Sequence, residues 1–128
     1  MYKIIFIIFL TVFYSSLSLA HSNNNLTLID SMDKIPIFSK IHINKQDSSD
    51  FDSKQGKILI LNFELKSKYE KEMRDFYKNF FKNTDWILLK KNESVIHFEN
   101  NRKHTHKKFI IRRHLKNLWN LNFIVENF

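Results

Sequence analysis

The residues best spaced for chemistry are His104 and His106, two imidazoles one residue apart. In an extended segment they would share a face, and His97 or His114 would supply a third nitrogen for zinc or copper. No cysteine exists in the chain and no carboxylate lies close by in sequence. Such pairs are common in basic loops, so no metal site and no cofactor are expected, and His104 and His106 are the residues that would form a site if one exists.

The densest cationic stretch follows them. Arg102, Lys103, Lys107, Lys108, Arg112, Arg113 and Lys116 face only Glu126 as a later acid, with Phe109 and Trp119 interleaved. Cations and aromatics in this mixture can grip a phosphate backbone or an anionic membrane surface. The competing reading is a solvated edge strand, for which lysine is a usual protective device.

Asp47, Asp50 and Asp52 lack the glycine and the bidentate glutamate that a helix-loop-helix calcium site requires. They read as a loop kept soluble by acids. A chain with one glycine, Gly56, has no nucleophile elbow and no phosphate-cradling loop. Enzyme is the weakest class, and the expectation is a non-enzymatic protein that acts by binding.

The elements that would position these residues centre on 56–99. Ser67 and Glu70 have the spacing of a capping box, which predicts a helix starting near Ser67. Tyr69, Met73, Phe76, Tyr77, Phe80 and Phe81 then recur with the 3.6-residue period of one buried stripe, and Lys68, Lys71, Glu72, Arg74, Asp75, Lys78 and Lys82 take the other faces. One such stripe needs a sheet or a second helix against it.

Strands flank the helix. Leu59, Leu61, Phe63 and Leu65 alternate on one face, and Ile58 and Ile60 make the other face apolar as well, as in an interior strand. Gly56 opens this strand, plausibly at a positive φ. Residues 86–89 and 94–98 read as two more strands with a polar turn at 90–93. Residues 40–45 alternate with period two, while 46–55, rich in Asp and Ser, read as an exposed turn or loop. Trp119, Leu121, Phe123 and Val125 mark a C-terminal strand. The segment 109–115 is either its antiparallel partner, with Lys116 and Asn117 in the turn, or a short helix; the hairpin is favoured. The expected fold is α+β, one helix packed across an antiparallel sheet of four to five strands, in a single domain spanning 26–127.

Before it, 1–20 has the parts of a signal peptide that forms an N-terminal signal helix: Lys3, an apolar core from Ile4 to Val12, and small residues ending at Ala20, the only alanine in the chain. The core is shorter than the ~20 residues of a spanning helix, although an uncleaved anchor stays open as the other reading. Cleavage following Ala20 would leave His21 to Phe128 in the periplasm or secreted. Residues 21–25 read as a polar, flexible start, and Leu26 to Ile29 either form a short strand or pack on the core. Without cysteine no disulfide framework is possible. A domain of about 110 residues instead buries roughly two-thirds of its unfolded surface.

The formal net charge of +8 would become +7 without Lys3. It fits an anionic polymer, an envelope protein or a membrane surface as partner, and equally a merely solvated surface in a chain rich in Lys, Asn, Ile and Phe.

Pro36, Ile37 and Phe38, then Asp52 and Ser53, Gly56, Phe76 and Tyr77, Trp86 and Glu93 follow one another in an order that resembles a family of small exported alphaproteobacterial proteins. That family's pattern runs Pro-Leu, Asp-Ser-Pro-x-Gly-Arg, Phe-Tyr, Gly-Trp and Arg-x-x-Glu. The likeness covers 35–98. Ser39 or Lys40, Lys57 and Asp85 depart from it. The resemblance implies export and a small α+β fold, and no activity.

Overall fold

The structure, a computed structural model, describes residues 32–128. The signal segment 1–20 and the element expected at 26–29 lie outside the described residues. The chain divides into two units, Met1–Pro36 and Ile37–Phe128. Of the first, the described residues hold a turn closed by the Ile35 N–H donating to the Met32 carbonyl at 3.0 Å.

The second unit is built from β1 (His42–Ser53), β2 (Gly56–Glu64), a short 3-10 turn (Ser67–Tyr69), α1 (Glu70–Phe81), β3 (Ile87–Lys91), β4 (Val95–Asn101), β5 (Thr105–Leu115) and β6 (Leu118–Asn127). The strands form one sheet in the order β1-β2-β6-β5-β4-β3, and every neighbouring pair is antiparallel. The α+β class and the helix across the sheet are as expected, but six strands replace the four to five anticipated. Each of the six falls on a segment with strand patterning; what differs is length at 46–55, where the loop expected from Asp and Ser is the second half of β1, turning at Lys54 and Gln55. Its side chains are almost all exposed, so an edge strand here carries no apolar alternation to reveal it. The alternative of a helix at 109–115 does not hold, because β5 is a full strand between β4 and β6.

Between Asn44 and Ser49 the register of β1 against β2 shifts. The resulting bulge is tied down by its own side chains, with the Asn44 amide donating to Asp47 Oδ2 at 2.7 Å and the Ser48 hydroxyl to the Asn44 carbonyl at 2.7 Å. At the other end of the hairpin Gly56 has φ +149, and a Cβ there would lie 1.9 Å from the Val125 carbonyl oxygen. Close approach of β6, together with the unusual φ, makes glycine necessary at this position.

Alternation decides what each face carries. Leu59, Leu61 and Phe63 of β2, Trp119, Leu121 and Phe123 of β6, Phe109 and Ile111 of β5, and Ile96 and Phe98 of β4 all point to one face and are buried. Onto them α1 lays Met73, Tyr77 and Phe81, also buried. Phe81 lies with its ring centroid 4.3 Å from Phe98 and 5.3 Å from Phe109, and Tyr77 lies 5.0 Å from Phe109. The six-residue stripe is narrower than its period suggests. Phe76 is half-buried against Phe38 at 5.4 Å, and Phe80 is 38% exposed.

A helical turn begins at Ser67, as expected, and runs on into α1, but the capping box does not form. The α-helical part begins at Glu70, and no side chain caps it. Ser67 Oγ instead donates to Asn117 Oδ1 at 2.9 Å, and the Glu70 carboxylate accepts from the Arg113 guanidinium on β5. A charge-assisted bond is roughly twice as strong as a neutral one, so Arg113 outcompetes a backbone amide for this carboxylate. The pair fastens the first turn of α1 to the sheet.

Candidate binding surface

The opposite face of the sheet is composed by the same parity. Across it, the register sets Phe51, Ile58, Ile124, Lys108, Glu99 and Ile87 in one row, and Ser49, Ile60, Asn122, Ile110, His97 and Lys90 in the next. A third row runs Asn44, Asn62, Asn120, Arg112 and Val95. Among the described residues no helix lies on this face. Phe51 and Ile87 are 64% exposed and Ile58 is 42% exposed, although Leu59, next to Ile58 on the other face, is in the core. A shallow groove of about 330 Å³ runs beside the β1–β2 hairpin, between Phe51, Ser53, Gly56, Ile58, Ile124 and Glu126.

Charges on this face are mostly matched. Lys108 Nζ stands 3.8 Å from Glu126 Oε1. His97 Nε2 is 3.1 Å from Glu99 Oε1, and the Asn101 amide donates to Glu99 Oε2 at 3.2 Å. The result is an apolar strip with a polar surround that also holds Lys90 and Arg112.

The seven cationic residues of 102–116 are not gathered on one surface. Lys107 and Arg113 point to the helix side of β5, Lys108 and Arg112 to the bare side, Arg102 and Lys103 lie in the β4–β5 turn and Lys116 in the β5–β6 turn. Arg113 is engaged by Glu70 and lies 5.0 Å over the Trp119 ring. Arg102 Nη2 pairs with Asp85 Oδ2 at 2.7 Å.

The histidines are likewise dispersed. His104 is in the turn, its carbonyl accepting from the Phe128 N–H at 2.9 Å. His106 packs its ring 4.6 Å from that of Phe128. It stands opposite Asn101, four residues along β4 from His97, which is about 13 Å at the rise of a strand. His114 is near the other end of β5. Among the described residues no three His, Cys, Asp or Glu side chains form a metal-binding group. Asp47 is used in the β1 bulge, and Asp52 stands opposite Lys57.

One titratable group is displaced for a clear reason. Burial pushes the Tyr77 hydroxyl well above the usual phenol range, and the Phe38 N–H, donating to it at 3.1 Å, offsets part of that shift. It is a core group, so its neutral form is a packing matter.

A second groove, of about 560 Å³, lies between the end of α1 and β3, floored by Phe81, Trp86, Leu88 and Phe98 and rimmed by Lys78 and Lys82. Sequence reasoning passed over the exposed apolar residues Phe51, Ile58, Ile87, Leu88 and Leu89. Phe51 sits alone among Asp and Ser, and Leu88 and Leu89 look like core. The second apolar face of β2, visible in Ile58 and Ile60, was the available signal.

No helix of the described residues is long and apolar enough to cross a membrane. No protein-family model, curated protein or solved structure matches the chain.

Proposed function

We propose that the chain is a non-enzymatic protein of the cell envelope, exported to the periplasm or secreted after cleavage following Ala20, and that it binds another envelope protein through the bare face of its sheet. One observation carries this reading: among the described residues the six-stranded sheet is covered by α1 on one side only, and its other side exposes Phe51 and Ile58 beside a groove. Apolar area ringed by paired polar groups is the composition of protein interfaces. Lys108 has an acidic neighbour in Glu126, and exposed Phe51 and Ile58 give the face apolar area that a polyanion would not use. Export is supported by Lys3, the apolar run 4–12 and Ala20, and by the resemblance over 35–98 to small exported alphaproteobacterial proteins.

The test is capture from envelope extract by the mature chain and by a Phe51→Asp, Ile58→Asp variant. The expected result is a protein retained by the first and lost by the second. Equal retention by both would contradict the assignment of the face. The alternative is a nucleic-acid or anionic-lipid binder working through 102–116. Binding to DNA, heparin or anionic vesicles whose log affinity falls steeply and linearly with log salt would establish it instead.

A further inference from the structure

A sheet that neither closes nor covers its ends presents two rows of backbone donors and acceptors. Among the described residues those ends are β1 and β3, and their sequences are opposite in character. Residues 49–53 of β1, beyond its bulge, are Ser, Asp, Phe, Asp and Ser, all exposed. Residues 87–91 of β3 are Ile, Leu, Leu, Lys and Lys, also all exposed. The first window has two acids and no cation, the second two cations and no acid.

We infer that the chain associates with copies of itself edge to edge, β3 of one copy pairing with β1 of the next, and that this continues the sheet from molecule to molecule.

Strand direction permits it. Every step across the sheet is antiparallel, so β1 and β3 run in opposite directions. The next copy's β1, placed beside β3 with its helix on the same side, therefore runs antiparallel to it. Parity then selects a register. Leu88 and Lys91 pair with helix-side residues of β4, Ile87 and Lys90 with bare-side residues, and the shift between Leu88 and Lys90 makes Leu89 the bulged residue. Asp50 and Asp52 are on the helix side of β1, and Phe51 and Ser53 on the bare side. The matching alignment sets Ile87 against Ser53, Leu88 against Asp52, Lys90 against Phe51 and Lys91 against Asp50. It pairs four residues of each window, leaving out Ser49 and the bulged Leu89, places a cation opposite an acid, and brings the stem of Lys90 against the exposed Phe51 ring. The chain's net charge of +8 opposes association, but beyond about 8 Å it is screened at physiological ionic strength, while the edge contacts are closer than that.

The contact is head to tail, so each assembly keeps one free β1 and one free β3 and does not stop at two copies. This inference shares Phe51 with the bare face but is tested at Lys91 and Asp50, which that face does not include.

Sedimentation velocity over a concentration series at physiological salt tests it. The expected result is a weight-average that climbs with concentration past the dimer. Lys91→Asp and Asp50→Lys, both at exposed positions and checked for folding by circular dichroism, should each weaken association on the order of fivefold, as expected for reversing one exposed cross-strand pair. The variant carrying both changes should recover it. A chain that stays monomeric, a ceiling at the dimer, or a double variant no tighter than the singles overturns the proposal. The monomeric outcome would leave β3 as an edge for an extended segment of a different protein.

Discussion

The two faces of this sheet are drawn from the same strands, residue by residue, yet they do different work. Leu59 and Ile58 are neighbours in β2, one 1% exposed under α1 and the other 42% exposed on the bare side. Phe109 and Lys108 divide in the same way on β5. Stability is concentrated on the first face, where aromatic rings from the helix and four strands interlock. The second face carries no helix among the described residues and leaves Phe51, Ile58 and Ile87 exposed. Substitutions should therefore separate into two classes according to parity alone.

The largest effect is expected at the centre of the covered face. Phe81→Ala removes a ring that contacts Phe98, Phe109 and Trp86 and should cost about 3–5 kcal/mol in urea or thermal unfolding. A cost near that of a surface change would mean that α1 is not seated on the sheet.

A smaller loss is expected where the helix is fastened. Glu70→Ala leaves the Arg113 guanidinium, 29% exposed over Trp119, without its carboxylate. That should cost about 1.5–3 kcal/mol, the usual range for a bond to a charged group.

Tyr77 sharpens the comparison by pH. Its folded-state pKa is raised by burial, so the folded protein holds a proton that the unfolded chain loses above about pH 10. Its contribution is complete below that value and declines as pH rises beyond it toward the folded pKa. Tyr77→Phe should flatten this alkaline decline and cost about 1 kcal/mol at neutral pH through the lost bond from Phe38. An unchanged alkaline slope would place the hydroxyl in contact with water.

Much of the covered face was legible in the sequence, because burial imposes a period. Met73, Tyr77 and Phe81 announced the helix, and Leu59, Leu61 and Phe63 the strand beneath it. The exposed edges were not legible. Ser49 to Ser53 lack any alternation that burial would enforce, so a strand there reads as a loop. Ser67 and Glu70 have capping spacing, but the carboxylate went to Arg113, a partner 43 residues away, and local rules cannot anticipate such competition. The cationic stretch allows either an anion-gripping surface or a solvated edge strand, and strand parity separates Lys107 and Arg113 from Lys108 and Arg112. Applying that parity required knowing that 105–115 is a strand rather than a helix.

The most direct test sets two adjacent residues against each other. Leu59→Ser and Ile58→Ser, unfolded in urea side by side, place the same new residue at adjacent positions on opposite faces of β2. The expected result is a loss of about 3 kcal/mol or more for Leu59→Ser and within about 0.5 kcal/mol of the parent for Ile58→Ser. Comparable losses at both positions would mean that both faces are packed, and no free surface would remain for binding.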